Sequence, residues 1–147
     1  MKDIARTDQV AFSVAKEYAL IPSYFLDPKL ACPATSYFKS VVIRGFASVL
    51  DDLPEKAQAL AAFMEKLQPE GGYEPIDSEQ PEYMAAIKGV AVVKITVDSL
   101  SAKFKFGQNL KEARFDQITE GLQQRGDGLD EETVNLMKKY CPHHKEK

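Results

Sequence analysis

Tyr37-Phe38-Lys39-Ser40-Val41-Val42-Ile43-Arg44-Gly45-Phe46-Ala47-Ser48-Val49-Leu50 is a run rich in β-branched and aromatic side chains, with Gly45 near its middle. Such side chains pack well on a pleated surface, and a glycine inside a strand marks a bend or a close backbone approach. The run therefore predicts a long strand bent at Gly45, as where a sheet curls into a barrel. Directly after it, Leu53, Ala57, Leu60, Ala61, Met64 and Leu67 recur at helical spacing, with Asp52 and Glu55 placed as cap and partner. The apolar stripe of that helix should cover a barrel opening or a sheet face.

Upstream of the long strand, Val10, Phe12 and Val14 alternate with Ala11, Ser13 and Ala15, which predicts a half-buried strand over 9–15, preceded by the tail of a short helix over 2–8. Pro22, Pro28 and Pro33 remove backbone donors and turn 19–35 into an irregular excursion. The segment from Gln68 to Pro81 reads as a loop inside one domain, and Pro81 to Ile87 as a short helix. Val93, Ile95 and Val97, then Ala102, Phe104 and Phe106, alternate with polar residues on either side of Ser99 and Ser101, so an antiparallel hairpin is expected. Asn109 with Glu112 should cap a helix over 110–124, and Asp130 a second one through Tyr140. The fold class expected is α+β: a mainly antiparallel split β-barrel with a covering helix and C-terminal helices, one domain over 1–140 and a disordered tail over 141–147.

The chain has 147 residues, 44% of them hydrophobic and 28% charged, enough for one domain with its own core. Its 19 basic and 22 acidic side chains leave a formal charge of -3, spread along the chain, which gives no support to nucleic-acid binding. Two cysteines, Cys32 and Cys141, cannot build a disulfide framework and fit a reducing compartment. Without an apolar N-terminal stretch or a membrane-length apolar window, the expected location is the cytoplasm.

Few side chains suggest chemistry of their own. Cys141-Pro142-His143-His144 gathers recognised metal ligands, but at a chain end with no second cluster, so a disordered tail is the reading preferred, and no metal is assigned. Lys103 and Lys105 share a strand face and could hold a phosphate or carboxylate, joined by Lys39 if their strands are neighbours. The competing reading is a solvated strand face. Gln108 and Asn109 could contact a ligand, although Asn109 is also explained as a cap, and Tyr37, Tyr73, Tyr83 and Tyr140 as core or rim aromatics. No phosphate-binding glycine loop, zinc-protease helix or serine-hydrolase elbow occurs, which favours a bound cofactor or plain binding.

Ser36-Tyr37-Phe38-Lys39-Ser40-Val41-Val42-Ile43-Arg44-Gly45-Phe46-Ala47, with Asp51-Asp52 and the helix containing Glu55-Lys56, resembles the long central strand and following helix of the pyridoxamine 5'-phosphate oxidase-like split barrels, especially the nitroimidazole-resistance type. Lys103-Phe104-Lys105-Phe106-Gly107-Gln108-Asn109, with a helix directly after, is similar to the C-terminal part of those proteins and of the FMN-binding Pai-type regulators. With Asp3-Ile4-Ala5-Arg6 leading into Val10-Ala11-Phe12, the likeness runs along nearly the whole chain. The resemblance implies a homodimer binding FMN in a cleft between subunits, acting as a reductase or oxidase on a small molecule with a nicotinamide donor. It implies that Ser40 faces the flavin with Tyr37 and Lys39 beside it, and that Lys105 and Gln108 contribute from the C-terminal strand. It also implies an N-terminal shortening, since the family's phosphate-clamping residues lie before the segment that Met1 to Arg6 matches. The rival expectations are a non-enzymatic flavin- or small-molecule-binding regulatory module, a barrel that has lost the cofactor, or a haem protein using His143 or His144.

Overall fold

A computed structural model describes residues 7–141. The elements are β1 (Gln9–Ile21), β2 (Thr35–Leu50), α1 (Leu53–Leu67), α2 (Pro81–Gly89), β3 (Val92–Lys105), α3 (Glu112–Arg125) and α4 (Asp130–Tyr140), with a single 3-10 turn at Ser23–Phe25. The chain is α+β, as expected. Its three strands form a sheet in the order β1-β2-β3. Contacts near both ends of β2 give antiparallel pairing: Ala47 N donates to Asp8 O (2.7 Å) and Ser36 Oγ to Glu17 Oε2 (2.9 Å). On the other side, the Lys105 ammonium donates to Thr35 Oγ1. The sheet is open rather than a closed barrel: β1 and β3 are its two edges, and three strands are too few to curl around an interior.

β1 runs six residues past the expected 9–15, because Tyr18, Leu20 and Ile21 continue the strand-forming composition until Pro22, which has no N–H to give, ends it. β2 and α1 follow the sequence expectation, and the Asp52 carboxylate accepts from Glu55 N (2.8 Å) at the start of α1. Val92–Lys105 is one continuous strand, not the expected hairpin. A tight hairpin needs positive φ at its centre; Ser99-Leu100-Ser101 contains no glycine, and no non-glycine residue among those described has positive φ. The helix expected from Leu110 begins later, at Glu112, with Lys111 as its N-cap and no side-chain cap bond, so Asn109 is not a cap. Asp130 is likewise the first residue of α4 and not its cap. The expected helix tail over 2–8 lies largely outside the described residues, as do His143 and His144.

The chain divides into two compact units, one formed by residues up to Ala11 with Arg44–Ser99, the other by Phe12–Ile43 with Leu100 onward. The apolar positions of β3 change phase, from odd numbers (Val93, Ile95, Val97) to even (Ala102, Phe104, Phe106), where the chain passes from the first unit to the second. That phase change, and not a turn, is what the interrupted alternation records.

In the first unit α1 packs with α2, burying Ala57 and Ile87. Lys56 is also buried, its ammonium donating to Val90 O (3.0 Å) just past the end of α2, where the helix dipole favours a cation. Gly45 is required where β2 runs beside β3, since a Cβ there would collide with Thr96 O.

The second unit holds the main core. Tyr18, Ile21, Tyr37 and Phe106 meet Phe115, Ile118 and Leu122 of α3 and Val134 and Met137 of α4. Gly126, at φ 60°, ends α3 in the left-handed conformation. Across the turn that follows, Arg125 grips Asp130 through Nε–Oδ2 (2.7 Å) and Nη2–Oδ1 (2.6 Å), while its Nη1 donates to Leu20 O (2.9 Å). The Asp130 side chain is only 3% exposed. The Arg125 guanidinium, with the Asp127 N–H as a lesser partner, holds its carboxyl below the usual value of 3.8.

A native carboxyl with a depressed pKa stabilises the fold above its unfolded pKa and ceases to do so as the pH falls through its folded one. Asp130→Ala, which leaves Arg125 without its partner, should lower the unfolding free energy by about 3 kcal/mol near neutral pH. In urea titrations the difference from the unsubstituted protein should narrow as the pH drops below 3.8. A constant difference across that range would show that the pair does not behave as described.

Candidate functional site

Between β1 and β2 the chain must leave one strand and return to the next, and the prolines prevent it from doing so as a regular element. Asp27 organises the return, its Oδ1 accepting from Lys29 N (2.8 Å) and Leu30 N (3.1 Å). At the other end of the unit, β3 stops at Lys105 and the chain turns at Gly107, whose φ is 75°. A Cβ at this position would lie 2.6 Å from Tyr37 Oη and 2.7 Å from Leu110 Cδ1, so only glycine permits so close a pass. Leu110 N donates to Gly107 O (2.9 Å) and closes the turn. The excursion and this turn face one another across a cleft of about 410 Å³.

The cleft takes polar groups from Asp27, Thr35, Tyr37, Lys105, Asn109 and Arg114, and its apolar wall includes Leu26, Leu110 and Ile118. Tyr37 is 2% exposed, and burial pushes its phenol up to about 12. Asp27 is held below the ordinary carboxyl value, first by the Lys29 and Leu30 N–H groups and, more weakly, by the charge of Arg114. The lining therefore carries the cations Lys105 and Arg114 against the single carboxylate of Asp27, which leaves one positive charge in excess.

Of the residues singled out from the sequence, Tyr37, Lys105 and Asn109 come together in this cleft. Lys39 does not join Lys103 and Lys105. Its ammonium lies over the rings of Tyr18, Phe104 and Phe106 at 5.0, 5.7 and 5.7 Å, engaged in cation–π contacts. Lys103 lies instead over Phe38 (5.8 Å). Gln108 folds back on its own strand, accepting from Phe106 N (2.9 Å) and donating to Phe104 O (2.8 Å), and so fastens the turn. Ser40, three residues beyond Tyr37 on β2, points to the opposite face by strand alternation. It shares that face with Ser36 and Phe38, none of which belongs to the buried core.

Arg114 and Asp27 were not legible as neighbours of Tyr37. The one available signal is electrostatic: Lys111 and Arg114 stand at the N-terminal end of α3, where the helix dipole disfavours cations, so another partner is to be sought for them. Cys141, read from sequence as part of the tail, is buried in the core at the end of α4, and Cys32 is exposed. Among the described residues no three His, Cys, Asp or Glu side chains converge as metal ligands, and no helix is long and apolar enough to cross a membrane.

A family model described as pyridoxamine 5'-phosphate oxidase matches residues 3–104, well over half of the chain. No curated protein matches the sequence. The matched segment includes Tyr37, Lys39, Ser40 and Lys103 and stops one residue before Lys105.

The phenol of Tyr37 titrates later in the folded protein than in the unfolded chain, so the fold loses stability as the pH rises from 10.0 toward 12. Tyr37→Phe should abolish that part of the alkaline loss, roughly 2 kcal/mol across the interval. Urea unfolding of both proteins at successive alkaline pH values measures it, and parallel stability curves would show that the phenol is not buried in this way.

Proposed function

Because this chain belongs to the pyridoxamine 5'-phosphate oxidase family, we propose that it is an FMN-binding oxidoreductase acting on a small molecule as a homodimer of split barrels, with a nicotinamide donor as its source of electrons. The family match is the single observation that carries this reading.

The face of β2 bearing Ser40 supports it on physical grounds. An isoalloxazine ring requires an apolar or aromatic wall, hydrogen bonds to its polar edge and a cation for its phosphate. Phe38 supplies an aromatic ring, Ser40 a half-buried hydroxyl, and Lys103 an ammonium 5.8 Å from the Phe38 ring centre. The residues fit the group, although a single sheet face cannot enclose it. A second copy of the chain is the proposed cover, which would also shield the unpaired edges of β1 and β3 and complete the barrel that one open sheet does not form.

Bound FMN would supply the hydride or electron transfer. Ser40 would donate to, or accept from, the polar edge of the ring; Phe38 would exclude water from one side; Lys103 would balance the phosphate charge. No side chain is assigned as acid or base. Tyr37 and Lys105, on the cleft, and Lys39, among the aromatic rings, lie apart from this set.

Purified protein supplied with FMN should retain the absorbance bands of oxidised flavin and bleach when a nicotinamide donor is added. Ser40→Leu, which replaces a hydroxyl by a bulky apolar group, should weaken flavin retention at least tenfold, about 1.4 kcal/mol, without changing the far-ultraviolet circular dichroism. Protein that stays colourless with added FMN would favour the regulatory or cofactor-free alternative, and unchanged retention in the variant would remove Ser40 from the site.

A further inference from the structure

The cleft beside Tyr37 is built from two stretches of different standing. One wall, from Leu26 to Tyr37, lies within the segment matched by the family model; the other, from Lys105 to Ile118, lies beyond its end at residue 104.

The chemistry of the cleft favours an anion. Lys105 donates to the Thr35 hydroxyl, which occupies one of its three ammonium protons. Arg114 is exposed and has a planar fork of donors suited to a carboxylate or phosphate. Asp27, the one carboxylate of the lining, is held ionised by two backbone N–H groups and by the charge of Arg114, so it offsets one of the two cations and leaves the other in excess. Tyr37 stays a neutral hydroxyl through the physiological range. The volume of about 410 Å³ exceeds what an inorganic ion occupies and falls within the range of small-molecule pockets. Leu26, Leu110 and Ile118 give such a molecule an apolar surface to lie against.

We propose that this cleft binds a small organic anion, its carboxylate or phosphate met by Lys105 and Arg114 and its apolar body by Leu26, Leu110 and Ile118, at a site separate from the Ser40 face. Nothing in this assignment depends on flavin binding. The anionic group is the shared chemistry, and a carboxylate and a phosphate ester are its two sources.

Calorimetric titration of the full chain with benzoate and, separately, with phenyl phosphate tests it. Saturable binding of at least one probe is expected, with a dissociation constant on the order of 1 mM or tighter. The tighter probe identifies the source. Lys105→Gln and Arg114→Gln should each weaken binding about tenfold, as loss of a charge-assisted hydrogen bond does, whereas Ser40→Leu should leave it unchanged. The two substituted side chains are half-buried and exposed, respectively, so unaltered thermal unfolding serves as the control for folding. Absence of saturable binding by either probe up to about tenfold above that constant, or binding indifferent to both substitutions, would overturn the proposal. So would a loss of FMN retention in Lys105→Gln and Arg114→Gln as large as that in Ser40→Leu, because the cleft would then be the flavin's own phosphate grip. Failure of the Ser40 reading alone would leave probe binding intact, which keeps the two outcomes distinct.

Discussion

Phe106 has no exposed surface, and its position organises the second unit. Its ring meets Tyr18 edge-on at 5.3 Å, Tyr37 at 6.2 Å and Tyr140 nearly stacked at 5.7 Å, so one side chain joins β1, β2 and α4. Burial of aromatic surface on this scale dominates core energetics, with the ring geometry adding to it. Because Phe106 must be inside, β3 has to end at its neighbour Lys105 and the chain has to turn at once, which Gly107 allows and Gln108 fastens. Lys105, Tyr37 and the start of α3 are brought together by that requirement. The cleft is therefore a by-product of core packing.

The same constraint separates two kinds of surface on β2. Tyr37 faces the core with Phe106 and the helices, while Phe38 and Ser40, by alternation, face away. Lys39, whose ammonium a sequence reading assigns to an anion, is instead held over three rings of the aromatic cluster. The proposed flavin face and the proposed anion cleft thus differ in composition for a simple geometric reason. One combines a ring, hydroxyls and a lysine on a strand face; the other combines two cations and an apolar wall at a strand end.

Much of the fold is legible in the sequence wherever one period persists. β2, α1 with its Asp52 cap, α2 and the body of α3 and α4 follow directly from alternation or helical spacing. Illegibility sets in where a pattern changes for a tertiary reason. The phase shift in β3 imitates a turn, yet the strand runs through it unbroken and leaves Val93, Val97 and Phe104 exposed on either side. Asn109 and Asp130 look like caps by residue type, yet Asn109 borders the cleft and Asp130 pairs with Arg125 inside the helix start. Tyr37 and Lys105 were singled out in sequence as flavin contacts, and the structure brings the two together at the cleft. Arg114 and Asp27 were not, since neither is in a motif and their proximity to Tyr37 arises only after the Pro-rich excursion folds back. Closure into a barrel was expected from a bend at Gly45, a residue that in this chain serves the close approach to the Thr96 backbone of the neighbouring strand.

Among the described residues β1 and β3 have no further strand beside them, and the second chain proposed above would cover that open sheet together with the proposed flavin. Sedimentation equilibrium of FMN-saturated protein, followed at a flavin wavelength, tests this most directly. The flavin absorbance is expected to sediment with a particle of twice the 16.4 kDa chain mass. Flavin sedimenting free of the protein, or with a single chain, would contradict it.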